Sequence, residues 1–124
     1  MNIPPLNVIN AELERRRYNF IHTLFPDKGE LRRELYVKHM QFFSDGATNY
    51  ERLFLAGNRV GKSFAGLYED VCHLTGVYPK WWSGRRFDGP IKMWIATPTS
   101  EKTRDVVQRE LLGHVTDYGT GFLP

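Results

Sequence analysis

The sequence has few of the features that mark secreted, membrane or metal-rich proteins. Its one cysteine, Cys72, excludes an intramolecular disulfide and a cysteine-rich zinc site and fits a reducing compartment. No apolar run approaches the roughly 20 residues of a membrane-spanning helix. Residues 1–13 have neither the basic start nor the apolar core of a signal peptide, so none is expected. The 17 Lys and Arg residues against 14 Asp and Glu give a charge of +3, which permits a nucleotide or nucleic-acid partner without requiring one.

The composition that is present is globular. The 124 residues suffice for about one domain, and 41% of them are hydrophobic and 25% charged. These values exclude a disordered tail, a coiled coil and a collagen-like repeat.

Apolar periodicity and breaker residues divide the chain into helices and strands. Pro26 should end the first helix, Gly76 the third and Gly113 the last. Short apolar runs at 53–56 and 91–96 are typical of strands buried on both faces. The tail, 114–124, has no clear pattern. The predicted helices are 7–25, 27–43, 61–75 and 98–112, with a loop rich in aromatic and basic residues at 77–90.

This order of elements predicts an α/β fold, in which a parallel sheet is flanked by helices. Two N-terminal helices precede it. Residues 1–50 are therefore interpreted as a helical segment that leads into a domain formed by residues 51–124.

A candidate phosphate-binding loop lies between the first predicted strand and the next helix. Residues 56–63, Ala-Gly-Asn-Arg-Val-Gly-Lys-Ser, match the P-loop pattern G-x-x-x-x-G-K-[ST] except that Ala56 holds the first glycine position. Glycine lets backbone N–H groups point inward at phosphate, and a helix start adds its positive dipole end. Lys62 would reach the β- and γ-phosphates, and Ser63 would bind Mg²⁺. The candidate nucleotide-binding residues are Gly57, Asn58, Arg59, Val60, Gly61, Lys62 and Ser63.

Arg59 lies inside this loop, where most P-loops have no need of arginine. Its guanidinium would stabilise the charge that develops on the γ-phosphate during transfer, which makes it a catalytic candidate beside Lys62. The alternative is a salt bridge from the loop to a surface carboxylate.

Residues 55–63 resemble the Walker A segment of terminase large subunits, the ATPase motors that package DNA into phage procapsids. In that family the loop often starts with Ala-Gly or Gly-Gly and carries an arginine, as it does here. Residues 75–79 (Thr-Gly-Val-Tyr-Pro) and 81–88 (Trp-Trp-Ser-Gly-Arg-Arg-Phe-Asp) look like motifs of one terminase branch. Residues 96–99 look like the end of its second strand. The resemblance covers roughly residues 36–113.

The resemblance implies a P-loop ATPase of the additional-strand type that uses ATP and Mg²⁺. It implies that 51–124 is the first half of that domain, with the Walker B strand and an endonuclease domain beyond residue 124. The implied partners are double-stranded viral DNA, the portal protein and the small terminase subunit, in a homo-oligomeric ring in the host cytoplasm and not at a membrane.

The family also places an adenine-contacting glutamine about 22 residues before the second P-loop glycine. His39 stands at that distance from Gly61, and Gln41 stands two residues later. Either side chain has the hydrogen-bonding groups for an adenine edge. The alternative for His39 is an ordinary half-buried helix residue.

Basic residues near aromatic or hydroxyl side chains are candidate nucleic-acid contacts. Arg85 and Arg86 follow Trp81-Trp82, a loop that would alternatively pack onto the sheet or cover the nucleotide. Lys102 and Arg104 follow the second predicted strand, where a helix cap with a solvated face is the alternative.

An acidic residue that ends a buried strand is missing. Glu69, Asp70 and Asp117 do not fit that position, so we expect the 124-residue chain alone not to hydrolyse ATP.

Other functions stay open at this stage: another P-loop NTPase, such as a helicase or small-molecule kinase, or a non-enzymatic binding module. Two helices ahead of the loop fit a kinase poorly, and a charge of +3 is weak for a nucleic-acid-binding module.

Overall fold

The computed structural model describes residues 2–57 and 61–123, which form two compact units. One unit contains the chain up to Leu24 and the described residues from Thr97 onward; the other contains Phe25–Ala96. The helices are α1 Leu6–Tyr18, α2 Val37–Asp45, α3 Lys62–Thr75, α4 Ser100–Lys102 and α5 Arg109–Leu112, with 3₁₀ turns at Phe20–Thr23 and Arg33–Leu35 and a π-helical stretch at Thr103–Gln108. None of these helices is long and apolar enough to cross a membrane.

The predicted α/β fold with a parallel sheet is wrong, because the described residues contain helices and irregular segments but no strand. Leu53 and Leu55 are each 80% exposed and Trp94 is 97% exposed, so the expected burial on both faces is also wrong. A strand exists through backbone hydrogen bonds to a neighbour, and no described segment provides such a neighbour for 53–56 or 91–96. The exposure of alternate residues along both segments is nevertheless typical of extended backbone with one covered face.

The first two helices are shorter than predicted. α1 ends at Tyr18, and a 3₁₀ turn replaces the helix that Pro26 was expected to end. No helix starts at residues 27–30, where the Asp27 carboxylate accepts from the Arg33 guanidinium. α2 therefore begins only at Val37.

The prediction for α3 is confirmed, and two glycines set its ends. Gly61 precedes Lys62 with φ 78°, and Gly76 follows Thr75 with φ 70°. Both values lie in the left-handed region that glycine adopts without steric cost. Gly76 donates its N–H to the Cys72 carbonyl at 3.0 Å, which satisfies one of the last carbonyls of the helix.

The core of the Phe25–Ala96 unit is aromatic and lies between α2, α3 and the loop 77–90. The Phe43 ring lies 5.0 Å from Trp82 and 5.7 Å from Tyr68, and Tyr68 stacks on Trp81 at 6.0 Å. Trp82 is 5% exposed. Of the alternatives for this loop, the structure shows packing, against helices and not against a sheet.

The other unit is closed by its C-terminal tail, for which the sequence predicted no pattern. The N–H groups of Phe122 and Leu123 donate to the carbonyls of Glu110 and Leu111 at 2.9 and 2.8 Å. Thr99 caps the helix that starts at Ser100, because its side chain accepts from the Lys102 N–H.

Candidate phosphate-binding site

The N-terminal end of α3 has the properties of an anion site. The Gly61 carbonyl accepts from the Ala65 N–H at 2.9 Å, so the helical hydrogen-bonding pattern begins at Gly61. The first turn contains no acidic residue. The partial positive charge of this 14-residue helix is therefore not neutralised by a carboxylate of its own first turn.

Lys62 and Ser63 occupy the first two positions of the helix. The Lys62 ammonium is half-buried and donates to the Ala56 carbonyl at 2.6 Å, which joins the two ends of the candidate loop. Ser63 is exposed. Gly57, at the other end of the loop, has open space where a Cβ would stand. Asn58, Arg59 and Val60, which complete the predicted set, lie outside the described residues.

His39 lies beside the phosphate-binding candidates. Its Nε2 atom is 3.3 Å from the position of a Cβ at Gly61, and its ring makes an edge contact with Phe54 at 5.5 Å. A cavity of about 870 Å³ opens between α2 and residues 49–56, and both His39 and Gln41 line it. The structure therefore places both predicted adenine contacts in the same cavity, with Ala56 of the loop on its wall.

The predicted nucleic-acid residues fall in different settings. Both arginines belong to the Phe25–Ala96 unit, where Arg85 is half-buried, whereas Arg86 is exposed and lies over the Tyr78 ring at 5.2 Å. Lys102 and Arg104 belong to the other unit. Arg104 pairs with Asp105 at 2.8 Å, and this hydrogen bond lowers the pKa of the Asp105 carboxyl. The charge of Arg104 is therefore already matched by its neighbour.

A buried polar cluster is the feature that the sequence analysis missed. The Glu69 carboxylate, 3% exposed, accepts from Arg52 at 3.0 Å and lies 3.4 Å from His73 Nε2. His73 Nδ1 in turn lies 2.9 Å from the Tyr78 hydroxyl, which accepts from the Phe87 N–H at 3.0 Å. The signal in the sequence was Glu69, a charged residue within the apolar pattern of α3. A charge at a buried position normally has an oppositely charged partner, so its position indicated such a cluster.

Asp70 differs from its neighbour Glu69 although both lie on α3. Burial, and next the Glu69 charge, raise the pKa of Asp70 to about 6. Among the described residues there is no group of three or more His, Cys, Asp or Glu side chains that could hold a metal ion. Neither carboxylate therefore belongs to a ready-made metal site.

Comparison with known proteins finds one relevant curated relative, the large subunit of the terminase of Salmonella phage P22. The two sequences are 38% identical over 104 residues, an alignment that covers 72% of this chain and 21% of the relative. The chain thus spans about a fifth of the length of the curated relative that it matches. No protein-family model matches the sequence. No solved structure matches it either.

Proposed function

Since the expected resemblance to the terminase large subunits is confirmed, we propose that this chain is the nucleotide-binding part of a DNA-packaging ATPase. The start of α3, with residues 56–63, would bind the phosphates of ATP. The observation that carries this proposal is the left-handed Gly61 followed by a helix whose first turn lacks acidic residues and begins with Lys62. Such a helix start favours phosphate.

Lys62 would exchange its present acceptor for phosphate. Its ammonium now donates to the Ala56 carbonyl, a neutral acceptor at the other end of the loop. A phosphate oxygen at the same place carries negative charge, and charge-assisted hydrogen bonds are roughly twice as strong as neutral ones. Binding of a nucleotide would therefore draw Lys62 toward the phosphates while keeping it at the loop.

The adenine base would lie in the cavity of about 870 Å³. His39 supports this placement because it lines the cavity and also approaches Gly61. Its two ring nitrogens offer one donor and one acceptor when the ring is neutral, which suits an adenine edge. Gln41 offers the same pair of groups from its amide.

Mg²⁺ would be held by the Ser63 hydroxyl, by phosphate oxygens and by water. Mg²⁺ in nucleotide sites usually keeps several waters and takes few protein ligands. The exposed Ser63 leaves room for such a hydrated ion. Arg59 would stabilise the charge that develops on the γ-phosphate during its transfer.

The resemblance extends the proposal to the whole protein. Double-stranded viral DNA would be the cargo, with the portal protein and the small terminase subunit as partners and endonuclease activity in the same protein. Motors of this kind would act as homo-oligomeric rings in the host cytoplasm. This chain itself would bind ATP without turning it over, because Glu69 is occupied by Arg52.

Binding of a fluorescent ATP analogue to the chain, with Mg²⁺, tests the proposal. Lys62→Ala should weaken binding at least about tenfold, since it removes a charge-assisted contact of roughly 1.5–3 kcal/mol. Lys28→Ala is the matched control, because Lys28 is exposed in the same unit and does not line the cavity. Equal affinities of the Lys62→Ala variant and the unmodified chain would refute the assignment.

A further inference from the structure

A second, smaller cavity in the Phe25–Ala96 unit has a positively charged lining. Its volume is about 420 Å³, and it lies between residues 46–52 and 85–93. Arg52, Arg85 and Lys92 line it, together with the aromatic rings of Tyr50 and Phe87. Among the described residues, no Asp or Glu lines it. The cavity therefore has a lining that favours anions.

The charges of Arg85 and Lys92 are not matched within the part of the chain that the structure describes. Arg52 pairs with Glu69, but no described ion pair includes Arg85 or Lys92. Arg85 donates from Nε to the Gly46 carbonyl at 3.1 Å, and its guanidinium carbon lies 5.2 Å from the centre of the Tyr50 ring. No hydrogen bond among the described residues uses its terminal nitrogens, which are therefore available to a ligand.

The loop that carries Arg85 is held firmly. The buried Trp82 donates from its indole nitrogen to the Arg85 carbonyl at 3.0 Å. Gly84 approaches the Phe43 carbonyl so closely that a Cβ there would come nearer than 3.0 Å. Little conformational freedom of the loop and of its side chains would therefore be lost on binding, which favours affinity.

We propose that this cavity binds phosphate groups of the backbone of double-stranded DNA. The proposal rests on the proposed function, in which DNA is the cargo. The Arg85 guanidinium would make a two-pronged contact to phosphate oxygens, and Lys92 would add a point charge. Tyr50 is 94% exposed at the rim, where its hydroxyl would donate to a neighbouring phosphate.

The lining favours the DNA backbone over the bases and over a free nucleotide. Arginine and lysine neutralise phosphates irrespective of sequence, and this term dominates non-specific binding to DNA. Arg85, Lys92 and Tyr50 do not line the larger cavity that the nucleotide would occupy. Arg52 and Asn49 line both cavities, so the two ligands are separated by variants of Arg85 and Lys92 and not by variants of Arg52.

Fluorescence anisotropy with a labelled DNA duplex over a series of KCl concentrations tests the proposal. Each lost phosphate contact should reduce the slope of log K against log salt by about 0.9, which corresponds to about eightfold in affinity at 0.1 M. Arg85→Gln and Lys92→Gln should each show this loss, and the double variant about twice the change in slope. Lys28→Gln, which removes an exposed charge elsewhere in the same unit, should not.

Three further measurements make the outcome decisive. Circular dichroism checks that the Arg85→Gln variant folds, and Lys92→Gln provides the test if it does not. Binding of the ATP analogue should be unchanged in both variants, whereas Lys62→Ala should weaken the analogue and spare DNA. Competition by inorganic phosphate at low millimolar concentration separates a free-phosphate site from a DNA site.

Unchanged DNA affinity in both variants, or an equal loss in Lys28→Gln, would overturn the proposal. Weaker binding of phosphate or of the ATP analogue in these two variants, with unchanged DNA affinity, would also overturn it. A different outcome separates the two proposals. If both variants lose DNA affinity while the unmodified chain does not bind the ATP analogue, this site is upheld and the proposed function is overturned.

Discussion

Replacement of Glu69 by glutamine should strongly destabilise the Phe25–Ala96 unit. Glutamine keeps the size of the side chain but removes the charge that Arg52 faces at 3.0 Å. Arg52 retains a hydrogen bond to the Phe42 carbonyl and is 22% exposed, so water relieves part of the loss. Breaking a buried ion pair costs about 3–5 kcal/mol. We therefore expect about 3 kcal/mol, at the lower end, or roughly a hundredfold in the unfolding equilibrium constant.

Urea titration followed by tryptophan fluorescence measures this change selectively. All three tryptophans of the chain, Trp81, Trp82 and Trp94, lie in the unit that contains Glu69. Glu34→Gln serves as the control, because Glu34 is exposed and its ion pair with Arg32 is long, at 4.0 Å. The control should leave the midpoint unchanged, since exposed pairs contribute little.

The double variant Arg52→Met with Glu69→Leu tests the physical reason. If the cost of Glu69→Gln comes from an uncompensated buried charge, replacing both partners by apolar residues should recover most of the stability. A loss below about 1 kcal/mol in Glu69→Gln, or no recovery in the double variant, would refute the reasoning.

Three other changes follow from the same unit. Asp70→Asn should raise the urea midpoint at pH 7–8, because the pKa of Asp70 is raised to about 6 by burial and its charge is then unfavourable. This gain should shrink as the pH falls through 6 and vanish below about 4, where the carboxyl is protonated in both states; a gain that persists at pH 3.5 would contradict it. Cys72 should not react with a disulfide reagent at pH 8 until urea unfolds the chain, since burial raises the pKa of its thiol to about 12; rapid native-state labelling would show otherwise. Gly84→Ala should cost about 1–3 kcal/mol through overlap with the Phe43 carbonyl, whereas Gly89→Ala, with open space around it, should cost far less; equal midpoints would disprove the close approach.

The sequence predicts α3 and the glycines at its two ends well because the signals are local. Gly61 and Gly76 bound an apolar pattern of helical period, and a helix satisfies its hydrogen bonds within its own segment. The family resemblance, and not periodicity, indicated that His39 and Gly61 belong to the same site. The structure then brings the two residues together.

Strand formation could not be predicted in the same way, because a strand depends on hydrogen bonds to a segment that is distant in the sequence. Short apolar runs have the composition of buried strands, but a run does not specify which segment will pair with it. At 53–56 and 91–96 no described segment does so, and Leu53 and Trp94 stay exposed. The composition of a segment therefore favours strand formation but does not determine it.

The aromatic core was beyond prediction for a different reason. Phe25 has φ 52°, a left-handed conformation that costs a non-glycine residue of order 1–3 kcal/mol. Its ring makes edge contacts with Phe43 at 5.5 Å and Tyr68 at 5.0 Å. Burial of a large ring against several partners offsets such a cost. A residue before proline is ordinarily predicted to be extended, so this conformation is visible only once the core is known.

The position of Glu69 on α3 decides what it can do for a bound nucleotide. Glu69 stands seven residues after Lys62, and a helix rises 1.5 Å per residue, so it lies about 10 Å along the axis from the phosphate-binding end. A Mg²⁺ ligand must approach to about 2 Å, and a general base must reach the attacking water. Glu69 meets neither requirement, and its charge is matched by Arg52. Through Arg52 it joins α3 to the segment that precedes residues 56–63, while Lys62 and Ser63 at the helix start remain the residues that would meet the nucleotide in the proposed function.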